Sequence, residues 1–193
     1  MKTLTKTLFS CVALSSVLGL TACQSTPMSH VTAHPGMKQD HNKVAALTDA
    51  QIMKVLSTAN NGEIMQANVA MPKLQSAQAK SFAQGMIEKH TENEAKGQAL
   101  ANKLKIAPQV STTSNALQMD SNNIVNQLNQ TASPADKAYI MSQIMVHDKV
   151  LKTIDSQLMP SAVNPELRSF LAETRAAVAM HLEVAKKIGS MMQ

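Results

Sequence analysis

Four side chains that can bind a metal ion lie in the middle of four separate helix-forming segments: Glu63, His90, His147 and His181. Each lies on the apolar stripe of its segment, about 13 to 16 residues from the segment's start. An α-helix rises about 1.5 Å per residue, so these depths agree within one turn. In an antiparallel bundle, mid-helix residues meet in one layer, and we expect the four to converge. Three imidazoles and one carboxylate suit one transition-metal ion, namely zinc, iron, manganese or copper.

A polar packing layer is the alternative, because a histidine on an apolar stripe is also found as a hydrogen-bonded core residue. Di-iron bundles use Glu-x-x-His pairs on two helices. The residues three before the histidines are here Ile87, Ile144 and Val178, so the carboxylates for a second metal are missing. We therefore expect at most a mononuclear site. Glu94, one turn after His90, is expected to orient its ring or to add a ligand.

The elements that must position these residues are four long amphipathic helices, at about residues 48–73, 76–106, 133–160 and 164–190. Thr48 and Gln51 form a capping-box start, and Pro134 and Pro165 are expected in the first turns of the last two helices. A short amphipathic helix is predicted at about 115–128, and no segment shows strand alternation. The sequence therefore predicts an all-α protein, an antiparallel four-helix bundle over residues 47–193, with a short extra helix in the middle crossover.

Short motifs along the bundle agree in order and spacing with a known family. They are Phe82-Ala83-x-x-Met86-x-x-x-His90, Asp136-x-x-Tyr139 with His147 eight residues on, His181-Leu182, and the acidic Glu63. Over roughly residues 47–190 the chain resembles the ferritin-like bacterial family called domain of unknown function 4142. The resemblance implies a ferritin-like bundle in an exported protein, and it does not imply ferroxidase activity. The family commonly has Asp where this chain has Lys89, and often has Phe where it has Ala135.

The first 22 residues have the zones of a lipoprotein signal peptide. Lys2 and Lys6 precede an apolar run of about 13 residues, which is too short to span a bilayer. Ala22 and Cys23 follow, and a small residue before cysteine is typical of a lipidation site. The alternative is an ordinary secretory signal with a coincidental cysteine. Gln24, in place of Asp, favours anchoring at the outer membrane of the cell envelope, facing the periplasm.

Residues 23–46 are predicted to form a flexible tether between the lipid and the bundle. The segment contains a cluster of soft or borderline ligands, namely Met28, His30, His34, Met37 and His41. Thioethers favour Cu(I), and imidazoles accept copper in either oxidation state. One interpretation is a weak copper site, and the other is a spacer with a chance cluster of ligand residues.

Composition excludes several other functions. The formal net charge of +5 is mild, and only three Phe or Tyr side chains follow the leader, so we expect no nucleic-acid partner. Cys11 and Cys23 are the only cysteines, which leaves the predicted mature chain without a disulfide or a free thiol nucleophile. No phosphate-binding loop or nucleophile elbow is present. Most methionines are expected to pack in the core, namely Met53, Met65, Met86, Met141, Met145 and Met180.

These observations favour a non-enzymatic, lipid-anchored envelope protein with a metal-binding or metal-stress role. A structural or interaction lipoprotein, whose bundle binds an envelope protein and whose histidine layer only specifies packing, is the main alternative. A mononuclear metalloenzyme is a third, and it would need an open coordination position.

Overall fold

The computed structural model describes residues 46–192, and every regular element in that range is helical. The prediction of an all-α protein is confirmed. The helices are α1 (Asp49–Ala70), α2 (Ala77–Leu104), α3 (Thr112–Gln130), α4 (Asp136–Thr153), α5 (Met159–Ser161) and α6 (Pro165–Ser190). A 3-10 turn (Met71–Lys73) follows α1, and a π-helical segment (Ile154–Leu158) joins α4 to α5. Between residues 46 and 192, no helix has both the length and the apolar composition that crossing a membrane requires.

Helix starts follow the local capping signals of the sequence. The Gln51 backbone N–H donates to the Thr48 hydroxyl, and the Thr48 N–H donates to the Gln51 side chain, which completes the predicted capping box. Ser76 caps α2 through its hydroxyl. Asn164 accepts two N–H groups at the start of α6, where Pro165 occupies the first turn. Such caps satisfy N–H groups that have no partner inside the helix.

The start of α4 differs from the prediction. Pro134 lies before the helix rather than in its first turn, and the first residue of α4 is Asp136. The Asp136 carboxylate accepts N–H groups from Gln75 and Ser76, at 2.8 to 3.1 Å. It therefore holds the beginning of α4 against the beginning of α2. The acidic residue of the Asp-x-x-Tyr motif, Asp136, therefore links α4 to α2.

The middle helix is also longer than predicted. It has 19 residues and packs along α1 rather than serving as a short crossover. Its buried side chains recur every three or four residues: Leu117, Ser121, Ile124 and Leu128. The contact is close at Gly62 of α1, where a Cβ atom would lie 2.7 Å from the Ser121 hydroxyl oxygen. The many Ser, Thr, Asn and Gln residues of α3 concealed its buried stripe in the sequence.

The core lies between two packed groups of helices. In one group α1 contacts α2 and α3, in the other α4 contacts α6, and α1 and α2 also contact helices of the second group. Aliphatic side chains dominate the interior, together with Phe82, Tyr139 and Phe170. Met53 and Met86 are buried as predicted. The core assignment was wrong for Met65, Met141, Met145 and Met180, which are 40 to 59% exposed because they lie beside their stripes.

Candidate metal centre

The four predicted ligands lie in one buried layer. Glu63 comes from α1, His90 from α2, His147 from α4 and His181 from α6, and none is more than 5% exposed. Each histidine offers one ring nitrogen, and these three atoms lie within 4.8 Å of one another. The imidazole centroids are 5.4 to 5.8 Å apart. The apolar stripe on each helix turns its ligand inward, and the similar depths bring the ligands to one level.

The Glu63 carboxylate lies against two of the rings. Its Oε2 atom is 3.1 Å from His147 Nε2 and 3.4 Å from His90 Nε2. Neither pair is aligned as a hydrogen bond, and these atoms and His181 Nδ1 are buried without a hydrogen-bond partner. Ligands of a tetrahedral ion with bonds of about 2.0–2.2 Å lie about 3.3–3.6 Å apart. The two Glu63 contacts are close to that spacing. Glu63 is not among the three residues whose ligand atoms all lie within 4.8 Å of one another, so the side chains would have to move inward to share one ion.

The tautomer of His90 follows from its partner Asn60. The Glu94 carboxylate, which only accepts, lies 3.4 Å from the Asn60 side-chain nitrogen, and the Asn93 side-chain oxygen lies 3.0 Å from the same atom. The Asn60 oxygen therefore faces His90 Nδ1, at 3.0 Å. His90 must donate from Nδ1, because an amide oxygen only accepts. Its Nε2 lone pair consequently points at the centre of the layer.

His147 has the same tautomer for a different reason. Its Nδ1 atom lies 2.9 Å from the backbone carbonyl of Gln143, four residues earlier on α4. A carbonyl oxygen only accepts, so the ring proton is on Nδ1 and the Nε2 lone pair faces Glu63. Holding a ligand histidine by its second nitrogen is the usual way in which proteins orient metal-binding rings.

Burial keeps the layer uncharged when no ion is bound. Burial raises the pKa of Glu63 to about 8 and lowers the pKa of His147 to about 4, although the Gln143 carbonyl partly offsets the fall. The pKa of His90 is well below its usual value because of burial and the two neighbouring imidazoles. Burial, and then Lys89, lower the pKa of His181. At neutral pH the metal-free layer therefore contains three neutral rings and a protonated carboxyl group.

Glu94 contacts the layer indirectly, through Asn60. Its carboxylate accepts from the Ser57 hydroxyl at 2.9 Å and from Asn60, and it is not among the three clustered ligands. It therefore positions His90 through Asn60 rather than by touching the ring.

Sequence reasoning missed three polar residues around the layer. Asn60 lies three residues before Glu63, and Gln143 four before His147, and both spacings place side chains on one face of a helix. These spacings are the sequence signal from which Asn60 and Gln143 could have been identified. Gln143 also donates to the Gln66 side chain at 2.8 Å. The hydroxyl of Tyr139, from the Asp-x-x-Tyr motif, is buried without a hydrogen-bond partner, and burial followed by the Glu63 charge raises its pKa.

A small cavity connects the layer with the surface between α2 and α6. It has a volume of about 130 Å³, and His90 and His181 line its inner end. Thr174 and Lys89 are among its other lining residues. The cavity offers a path by which water or a small ion can reach the layer.

The remaining predicted functional residues lie outside the described residues. They are the lipidation site Cys23 and the tether ligands Met28, His30, His34, Met37 and His41.

The fold and the layer define a class of protein, a helical bundle with a buried cluster of three histidines beside one carboxylate. The family model described as Domain of unknown function (DUF4142) matches residues 34–188, and the chain belongs to that family. The match confirms the resemblance, and it begins upstream of the predicted bundle start at residue 47. No curated protein and no solved structure matches the sequence.

Proposed function

We propose that this protein binds one transition-metal ion in its bundle, through the Glu63 carboxylate and the rings of His90, His147 and His181. A single observation carries the proposal: buried acceptor atoms on three helices converge, and the one proton that Glu63 can carry is too few to satisfy them all. The Nε2 lone pairs of His90 and His147 both face Glu63 Oε2, at 3.4 and 3.1 Å. A cation at their centre would satisfy all of these atoms together.

A single proton satisfies fewer of the buried polar atoms in this layer than a metal ion would. The one proton that Glu63 can carry satisfies one histidine nitrogen and leaves the others unpaired. Each unsatisfied buried polar group costs about 1–3 kcal/mol. A donor set of three nitrogens and one oxygen suits zinc, iron, manganese or copper.

The ligand set favours binding over catalysis. Four protein ligands complete a tetrahedral coordination shell, and catalytic zinc sites commonly keep one position for water or substrate. We therefore propose a metal-binding role, in which the protein sequesters an ion under metal stress. The structural alternative is a layer that contains only a protonated Glu63 and neutral rings and that binds no ion.

We infer that the bundle has a ferritin-like arrangement in which α1, α2, α4 and α6 surround the layer. Each of these helices supplies one of its residues, which supports the arrangement. We also infer that the chain is anchored through lipid on Cys23 in the cell envelope, at the outer membrane facing the periplasm. The order of positive charge, apolar run and cysteine in the leader supports the anchor.

Metal analysis of the mature protein, purified without an affinity tag, tests the binding site. We expect about one ion per chain, bound by wild type and lost in His147→Ala. The matched control replaces the tether histidines His30, His34 and His41 by serine, and it should retain the ion. Equal metal content in wild type and His147→Ala, or loss of the ion only in the tether variant, would contradict the proposal.

Acyl labelling in cells tests the anchor separately. Wild type should incorporate a labelled fatty acid and sediment with membranes, since each buried CH₂ contributes about 0.8 kcal/mol. Cys23→Ala should carry no label and should remain unprocessed by the lipoprotein pathway. A wild-type chain that is soluble and unlabelled rules out the anchor and leaves the metal site unaffected.

A further inference from the structure

An apolar groove of about 690 Å³ runs along the surface between α2 and α6. Phe82 and Met86 of α2 line one side, and Val184 and Ile188 of α6 line the other. The α2 residues that line it extend from Ala77 to Lys89, which corresponds to about 18 Å of helix. The groove is therefore long enough to hold most of a single extended hydrocarbon chain.

Gly85 keeps the groove open. A Cβ atom built at this position would meet no heavy atom within 4 Å. The helix does not need glycine there, since glycine inside a helix is less stable than alanine by about 0.5–1 kcal/mol. The missing side chain instead leaves open space in the wall of the groove.

Basic side chains, and no acidic ones, are among the described residues that line the groove. Lys89 and His181 line one end, and Lys187 lines the α6 side one turn before Met191. Met191 lies at the opposite end, beside Ser76 and Gln78 at the start of α2. Lys89 pairs with Glu92 at 3.0 Å, but both side chains are more than half exposed, so solvent screens the pair and a ligand anion can compete for Lys89.

We propose that this groove binds one long-chain fatty acid as a monomer, with its carboxylate at Lys89 and its acyl chain along Phe82, Met86 and Ile188. The apolar walls select a hydrocarbon chain, and the lysine side chains, with no acidic residue among the described residues of the lining, select an anionic head group. A concave site with a few polar groups at one end is the usual form of a small-molecule site. The proposal does not depend on a metal ion in the buried layer.

Titration of the full mature chain with palmitate, below the concentration at which it forms micelles, tests the groove. We expect saturable binding of one palmitate per chain. Gly85→Leu fills the groove and should weaken binding at least about tenfold, with unchanged helix content and metal content. Gln84→Leu places the same side chain on the neighbouring exposed position outside the groove, and it should bind within about twofold of wild type.

The head-group contact has its own pair of variants. Lys89→Met should weaken palmitate binding about fivefold and leave binding of hexadecanol, which has no carboxylate, unchanged. Lys80→Met, an exposed position of α2 that does not line the groove, should affect neither ligand. Equal losses for palmitate and hexadecanol in Lys89→Met would overturn the assignment of the carboxylate.

Other occupants of the groove give different results. If residues 23–45 of the same chain cover it, palmitate will not bind the full mature chain. If a second copy covers it, Gly85→Leu will change the sedimentation coefficient. Either result, or equal palmitate affinity in wild type and Gly85→Leu, overturns the proposal, and none of them bears on the metal analysis.

Discussion

The Oε2 atom of Glu63 lies 3.1 Å from the Nε2 atom of His147, and the ring proton of His147 is on the opposite nitrogen. A proton between these two atoms can therefore come only from Glu63 itself. The same oxygen lies 3.4 Å from His90 Nε2, whose ring proton is likewise directed away, toward Asn60. One carboxylate oxygen thus faces two lone pairs, and a proton and a metal ion compete for the space between them.

Metal should stabilise the folded protein, and the stabilisation should require His147. An ion at 100 times its dissociation constant adds about 2.7 kcal/mol to the free energy of unfolding. For a domain of this size that corresponds to a rise in Tm of roughly 5–10 °C. His147→Ala should show no metal-dependent rise in a thermal melt, whereas the tether-histidine variant should keep it. A rise of equal size in His147→Ala would mean that the ion binds elsewhere.

Asn60→Ala should weaken metal binding about 10–100-fold, which is the usual effect of removing a partner that orients a ligand histidine. Without the Asn60 oxygen, the His90 ring is free to rotate and to place its proton on Nε2. Competition with a chelator of known affinity measures the change. Asn61→Ala is the matched control, because Asn61 is exposed and bonds only within α1, to Ser57. Equal affinities for the two variants would show that Asn60 does not position the ring.

The metal-free protein should be most stable near pH 6.5. Below that pH the unfolded chain binds protons on three histidines whose folded pKa values are lowered, so the free energy of unfolding rises with pH. Glu63 has the opposite effect on the free energy of unfolding between pH 4.5, its ordinary pKa, and about pH 8. In that range the folded protein retains a proton that the unfolded chain releases. Below pH 6.5 the effect of the three histidines exceeds that of Glu63, so the free energy of unfolding rises with pH. Above pH 6.5 the effect of Glu63 dominates, so the free energy of unfolding falls. Urea unfolding with chelator across this range measures the curve, and a continued rise to pH 8 would contradict it.

Glu63→Gln should change two properties that can be measured separately, the pH dependence of stability without metal and the binding of the metal ion. Glutamine has nearly the same shape and no charge, so the metal-free variant should lose the decline in stability between pH 6.5 and 8. The same variant should lose the metal ion, because it lacks the anionic ligand. Glu92→Gln, at an exposed position paired with Lys89, is the control and should change neither property. Retention of a full equivalent of metal by Glu63→Gln would remove the carboxylate from the ligand set.

Two glycine variants should have opposite effects on stability. Gly62→Ala places a Cβ atom 2.7 Å from the Ser121 hydroxyl and should lower the free energy of unfolding by about 1–3 kcal/mol. Gly85→Ala meets open space and should raise it by about 0.5–1 kcal/mol. Chemical denaturation of both variants at one pH measures the difference. Stabilisation of similar size in both would show that α3 does not approach α1 at Gly62.

The sequence by itself determined the helical class, most helix starts and the residues of the central layer. Capping by Thr48 and Ser76 depends on groups only three residues apart, so it can be read from the chain. The apolar stripe of each helix follows from the period of 3.6 residues, which also indicates the level of Glu63 and His147.

Only the tertiary structure decided how the helices are rotated and which side chains meet across them. It placed α3 along α1 at Gly62, turned Asp136 toward the start of α2, and exposed methionines such as Met145. It also brought Asn60 to His90, from which the ring tautomer follows. These contacts join residues far apart in the chain, so they depend on the angles and distances at which helices pack. Local periodicity contains no information about those angles, and for that reason it predicted the layer and not the network around it.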